Sequence, residues 1–120
     1  DVHMVLRGGG GKSNYSRADI AYVNVLLEEA KAAARPVLVD CSHANSDKDY
    51  RKQPQVFESV IRQLTAPNPA LLGVMLESHL VEGKQSLGPE LTYGQSITDG
   101  CIGWDETERL LRQGYAQLDG

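Results

Sequence analysis

The chain has 120 residues, 41% hydrophobic and 23% charged, with a net charge of −4, which is the composition of one ordinary globular domain and not of a disordered or fibrous segment. Mild acidity, with basic residues gathered only at Lys48, Arg51 and Lys52 and no aromatic interleaving, argues against a nucleic-acid partner. No apolar run approaches the roughly 18 residues of a membrane span, no signal peptide opens the chain, and Cys41 and Cys101 lack a disulfide-framework spacing, so a cytoplasmic protein with two reduced, packing thiols is expected.

In chain order, the first element is the apolar run "VHMVL" (2–6), a strand that starts without any lead-in, as in a sequence that begins partway through a larger protein. "RGGGGKS" (7–13) follows. A P-loop needs G-x-x-x-x-G-K-[ST] between strand and helix, yet Leu6 stands where its first glycine belongs, and the helix cap falls at Ser16 instead of at Lys12-Ser13. The more informative residue is Arg7. At the end of a buried strand, beside glycines that admit a ligand closely, an arginine suits bidentate grip of a phosphate or carboxylate. The same position also suits an ion pair with a carboxylate on a neighbouring loop.

"SRADIAYVNVLLEEAKAAA" (16–34) places Ile20, Val23, Leu27 and Ala30 at helical spacing, with Ser16 as N-cap and Asp19 completing a capping box. A second strand, "PVLVDC" (36–41), leads to a second helix from about Pro54 to Leu64, with Val56, Val60, Ile61 and Leu64 on one face. A third strand, "LLGVMLE" (71–77), precedes a 27-residue connection (78–104) without apolar period, long enough to suggest a functional loop. A last helix, 105–118, has Asp105 as its expected cap and Glu108 in its box.

Strand starts 35 and then 34 residues apart (Val2, Val37, Leu71) describe three successive β/α units of an α/β fold. Right-handed crossovers make such strands parallel neighbours, buried on both faces, with their C-terminal ends on one edge where chemistry is usually found. His43 lies just beyond strand two, Glu77 ends strand three beside His79, and Asp99 comes shortly before the last helix, all expected at the edge that carries Arg7. One imidazole and two carboxylates suit a borderline divalent ion such as manganese, iron, cobalt or zinc. Asp40 either holds His43 in position or is a buried carboxylate bound to backbone, and His79 either assists Glu77 or simply packs.

Taken together, "HMVLRGG…NYS", "VDCSHANS.KDYRKQP", "GVMLESHLVEGKQSL" and "YGQSITDGCIGW" resemble the C-terminal part of the type I 3-deoxy-D-arabino-heptulosonate-7-phosphate (DAHP) synthases over essentially all 120 residues. The resemblance implies a (β/α)8 barrel of which residues 1–120 form units six to eight, an incomplete barrel within one domain. It implies condensation of phosphoenolpyruvate with erythrose 4-phosphate to DAHP and phosphate, the first step of the shikimate pathway. By motif, Arg7 then contacts the phosphate of phosphoenolpyruvate, and His43, Glu77 and Asp99 are ligands of one divalent metal ion. The fourth ligand is a cysteine outside this chain, at a position occupied by neither Cys41 nor Cys101. No residue of this segment is assigned a covalent or acid–base catalytic role. The glycine loop is one residue longer than the common bacterial form.

Three units cannot close a barrel of roughly 250 residues, so the chain is expected to expose two sheet edges and a sheet face, to be inactive in isolation, and to belong to a homo-oligomeric parent enzyme. The rival reading is an inactive remnant or a scaffold or regulatory module of the same fold. A metal-ligating cysteine and a Lys-Pro-Arg-Thr segment upstream separate the two.

Overall fold

The computed structural model describes residues 2–33, 36–66, 68 and 70–119. Three strands, β1 (Met4–Leu6), β2 (Val37–Asp40) and β3 (Leu71–Met75), form one parallel sheet in the order β1-β2-β3. Met4 pairs with Val37, and Val37 with Leu71. Parallel neighbours in this register bring all three C-terminal ends to one edge, as the strand spacing predicts.

Helix α1 (Arg17–Glu29) starts on the predicted box: Ser16 Oγ accepts the Asp19 N–H at 3.1 Å, and Asp19 Oδ2 accepts the Ser16 N–H at 3.2 Å. Ile20 is buried and Val23 and Leu27 are half-buried. The helix stops well short of residue 34, because Lys31 adopts a left-handed φ of 53° and its N–H turns back to the Glu28 carbonyl at 2.9 Å. Ala30 thereby leaves the expected apolar face and is exposed, while Ala34 lies outside the described residues. Helix α2 (Gln53–Thr65) has Pro54 in its first turn, where no N–H is needed, and buries Val56, Phe57, Val60 and Ile61. Helix α3 (Trp104–Asp119) begins one residue earlier than expected. Asp105 consequently sits inside the first turn instead of capping it, and Glu108 accepts from Arg112 Nε at 2.8 Å instead of closing a box.

Leu6, Val37, Val39 and Leu71 of the sheet pack with Ile20, Val56, Val60 and Leu110 of the helices in one core. Burial on both faces, as the strand pattern suggests, is met on one only, and the other is the exposed sheet face expected of three β/α units. Val5 and Met75, on the side of the sheet away from Val37 and Val39, are exposed, because the chain's own helices cover only the side that carries Val37 and Val39. No helix among the described residues is long and apolar enough to cross a membrane.

The long connection is more structured than its sequence suggests. It contains strands β4 (Val81–Lys84) and β5 (Gln95–Ser96), a small parallel sheet of their own. Side-chain amides do much of the fastening: Gln85 Nε2 donates to Thr92 O at 2.8 Å and Gln95 O at 2.9 Å, and Gln95 Nε2 donates to Glu82 O at 2.8 Å. Such links carry no hydropathy period and leave no trace in a reading based on apolar spacing.

Candidate functional site

The glycine loop closes on itself. Gly9 and Lys12 exchange both backbone hydrogen bonds, at 2.9 and 3.0 Å, around Gly10 and Gly11, whose φ values of 57° and 75° are those a type I′ hairpin tip requires. Lys12 and Ser13 therefore belong to a hairpin, away from any helix N-terminus, and the P-loop geometry is absent. At the base of the hairpin, Gly8 N donates to Asn14 Oδ1 at 2.8 Å and Asn14 N donates to Asn45 Oδ1 at 2.7 Å. Asn45 N–H also reaches the Arg7 carbonyl at 3.3 Å. Arg7 thus leaves β1 with its backbone tied to the loop after β2, and its exposed side chain lines the cleft at the strand ends.

His43 follows β2 with φ 53°, a left-handed conformation uncommon for a residue bearing a Cβ. Asp40, buried at the end of β2, holds it there: Oδ1 accepts the Ser42 N–H at 2.8 Å, and Oδ2 accepts His43 Nδ1 at 2.9 Å. Both readings of Asp40 are thus realised in one side chain. With Nδ1 donating, the lone pair of the neutral imidazole lies on Nε2, which faces Glu77 Oε1 at 3.7 Å and Asp99 Oδ2 at 3.7 Å.

Glu77 lies just past β3. Its Oε2 accepts Ser42 Oγ at 2.5 Å, which fixes one carboxylate oxygen and leaves the other toward His43. Its backbone is clamped from behind by Gln53 at the start of α2: Gln53 Nε2 donates to Glu77 O at 3.0 Å, and Gln53 Oε1 accepts the Glu77 N–H at 2.8 Å. Gln53 is fully buried, at 0% exposure. Replacing it by leucine keeps the bulk but strands the Glu77 N–H and leaves the Glu77 carbonyl to the Ile102 N–H alone, so Gln53→Leu is expected to lower stability by about 1–3 kcal/mol, read from urea unfolding; a shift below about 0.5 kcal/mol would contradict the clamp.

Asp99 arrives through the return of the long connection. Ile102 N donates to Glu77 O at 3.0 Å, and Gly83 and Cys101 exchange bonds at 2.9 and 3.1 Å, which lays 99–102 alongside β3's end and β4. The Tyr50 ring packs on Gly100, where a Cβ would stand 2.7 Å from Tyr50 Cδ1. His43, Glu77 and Asp99 each offer a ligand atom, all within 4.8 Å of one another. An ion bonded at about 2.0–2.2 Å holds adjacent donors roughly 3–3.6 Å apart, so a small contraction of this set suffices, and a neutral imidazole with two carboxylates is the donor chemistry of a borderline divalent ion. The residues fit such a group. Asp99, its side chain 64% exposed against 26% for His43 and Glu77, forms the open side.

The cleft has a volume of about 320 Å³, and Arg7, His43, Lys48, Glu77, Lys84 and Asp99 line it. His79 takes no part: it is exposed, and its Nδ1 accepts the adjacent Leu80 N–H at 2.8 Å. Both cysteines are buried and unpaired. Burial, and secondarily Asp40, pushes the Cys41 thiol up to about 12, and burial raises that of Cys101; both favour the protonated, packing thiol expected from sequence over a thiolate ligand. Sequence reading missed Ser42, Asn45 and Gln53, whose roles are hydrogen bonds to distant segments. It also passed over Lys48 and Lys84, which look like solvated surface until the fold turns them to the cleft.

The description DAHP synthetase I family matches residues 1–112. The chain is 47% identical over 124 aligned residues to the Tyr-sensitive phospho-2-dehydro-3-deoxyheptonate aldolase of Escherichia coli, covering 100% of this chain and 34% of that protein. It is 50% identical over 115 residues to the phospho-2-dehydro-3-deoxyheptonate aldolase of Haemophilus influenzae, covering 94% of this chain and 32% of that protein. The solved structure of the phospho-2-dehydro-3-deoxyheptonate aldolase of Francisella tularensis superimposes on 98% of this chain with a TM-score of 0.90 at 36% identity, and 34% of that structure is covered. The chain thus spans about a third of the length of these relatives.

Proposed function

The chain belongs to the DAHP synthetase I family, and from that premise we propose that it is the C-terminal portion of a metal-dependent DAHP synthase, units six to eight of a (β/α)8 barrel. The full-length enzyme joins phosphoenolpyruvate to erythrose 4-phosphate, giving DAHP and inorganic phosphate at the entry to aromatic amino acid biosynthesis, as a cytoplasmic homo-oligomer. The observation that carries this reading is the convergence of His43, Glu77 and Asp99, from three separate segments, on one point beside Arg7.

Arg7 grips the phosphate of phosphoenolpyruvate and orients the enol carbon toward the aldehyde of the second substrate. The carbon–carbon bond forms between these two carbons, water adds at the carbon bearing the phosphate ester, and the C–O bond to phosphate breaks. His43, Glu77 and Asp99, with a cysteine from outside this segment, would hold a divalent ion, which would supply Lewis acidity toward the aldehyde. Asp40 keeps His43 Nε2 free to ligate, Ser42 and Gln53 fix the Glu77 carboxylate and backbone, and Tyr50 holds the Asp99 turn by its contact with Gly100. Each of these residues acts by orientation, which is where an active site gains most before any bond changes.

The test is turnover by the full-length protein. Loss of phosphoenolpyruvate in the presence of erythrose 4-phosphate is expected with a divalent ion present, to disappear with a chelator, and to return when the ion is restored. Failure to turn over this pair under any divalent ion would remove the assignment. The isolated 120-residue segment is expected to show no turnover.

A further inference from the structure

Arg7, Lys48 and Lys84 reach the cleft from three places: the end of β1, the loop after β2 and the end of β4. None of the three enters an ion pair among the described residues, although Glu77 and Asp99 line the same space. In the basic cluster of Lys48, Arg51 and Lys52, the second pairs with Asp49 at 3.0 Å and the third with Asp47 at 3.0 Å, which leaves Lys48 as the member without an ion-pair partner among the described residues. Its position is also fixed. Asp47 and Lys48 both have φ 57°, a strained conformation for residues with side chains, and Lys48 N donates to the His43 carbonyl at 2.8 Å.

The three cations divide into two groups. Arg7 and Lys48 also share the adjoining cavity under the glycine hairpin, which His43 lines as well. Lys84 lines the cleft but not that cavity, and it follows Gly83, whose bonds to Cys101 place β4 beside the Asp99 turn. The cleft therefore offers positive charge on two flanks, beside the glycine hairpin and beside the Asp99 turn. One phosphoryl group satisfies one flank and leaves the other unused.

We infer that Lys84 is a further substrate-binding residue of this cleft, meeting an oxyanion separate from the one that Arg7 and Lys48 hold. The inference rests on the reading under Proposed function for the identity of the ligands: the second oxyanion is either the carboxylate of phosphoenolpyruvate or the phosphate of erythrose 4-phosphate. Both are oxyanions that a point charge such as an ammonium recognises.

The experiment uses the full-length protein and the variants Lys84→Gln, Lys84→Arg and Lys48→Gln, with Lys31→Gln as an equal loss of charge outside the cleft. Lys84→Gln is expected to raise KM about tenfold for one of the two substrates, the loss of one charge-assisted hydrogen bond, with kcat within about twofold and Lys84→Arg restoring most of the affinity. A rise for phosphoenolpyruvate assigns the carboxylate, and a rise for erythrose 4-phosphate assigns its phosphate. Unchanged KM for both substrates, in an enzyme that turns them over, would overturn the inference and leave the synthase reading intact. If the wild type turns over neither, the synthase reading fails, and calorimetric titration with inorganic phosphate decides the subsite. Weaker phosphate binding in Lys84→Gln than in wild type and Lys31→Gln sustains it, and superimposable isotherms remove it.

Discussion

Replacing His43 by alanine in the full-length protein is expected to empty the metal site and abolish turnover together. His43 is the member of the set that faces both carboxylates, at 3.7 Å from each, so its loss removes the nitrogen donor and leaves Glu77 and Asp99 as two like charges across a gap. Asp40→Asn provides the graded comparison. An asparagine can still meet His43 Nδ1, but it no longer favours the Nδ1–H tautomer as a carboxylate does, and loss of such an outer partner typically costs roughly 10–100-fold in metal affinity or activity. The expected order of retained metal is therefore wild type, then Asp40→Asn, then His43→Ala, measured by metal analysis after gel filtration and by turnover on the same samples. Stoichiometric metal in His43→Ala, or an Asp40→Asn protein worse than His43→Ala, would contradict the geometry.

The outline of this site was legible in the sequence because its principal residues sit at fixed places relative to strands. Apolar β-branched runs locate strands, equal spacing between the runs implies parallel neighbours, and parallel neighbours share an edge; His43 and Glu77 follow from that chain of reasoning alone. Asp99 was placed only as a loop residue near the edge. What brings it to within 3.7 Å of His43 is the pairing of Gly83 with Cys101 and of Ile102 with Glu77, contacts between backbones that side-chain identity does not announce. The α1 start was legible for the opposite reason, since a capping box is a local exchange written in two residues, Ser16 and Asp19. The α1 end and the α3 start were misplaced by a few residues, where Lys31 turns left-handed and Trp104 adds to the helix without any capping signal. Burial on one sheet face only is legible in the count of three β/α units and not in the strand pattern, because a run of apolar residues says that cover is wanted and not which polypeptide segment supplies it.

Asn45→Ala is expected to be among the most destabilising single substitutions in the segment, and its cause lies in the strand ends. The Asn45 side chain, in a residue only 5% exposed, donates from Nδ2 to the Leu6 carbonyl at 3.0 Å and to the Asp40 carbonyl at 2.9 Å, and accepts the Asn14 N–H on Oδ1 at 2.7 Å. It therefore ties the last residues of β1 and β2 to each other and both to the glycine hairpin. Alanine withdraws all three bonds in a poorly hydrated place and leaves the Asp40 carbonyl and the Asn14 N–H without their partner, while the Leu6 carbonyl keeps its place in the β1–β2 ladder; at about 1–3 kcal/mol for each stranded group, a loss of at least about 2 kcal/mol is expected, a large share of the roughly 5–15 kcal/mol by which domains are stable. Asn45→Asp separates the two halves of the role. It keeps an acceptor for Asn14 N but loses both donors and sets a negative charge against the Leu6 and Asp40 carbonyls, so it is expected to be no more stable than alanine at neutral pH and to gain relative to alanine as pH falls and the carboxyl regains a proton to donate. Thermal unfolding of the full-length variants across that pH range reads this directly. An aspartate variant as stable as wild type at neutral pH would show that the donated bonds to Leu6 and Asp40 contribute little, and that the hairpin contact through Asn14 is what the residue provides.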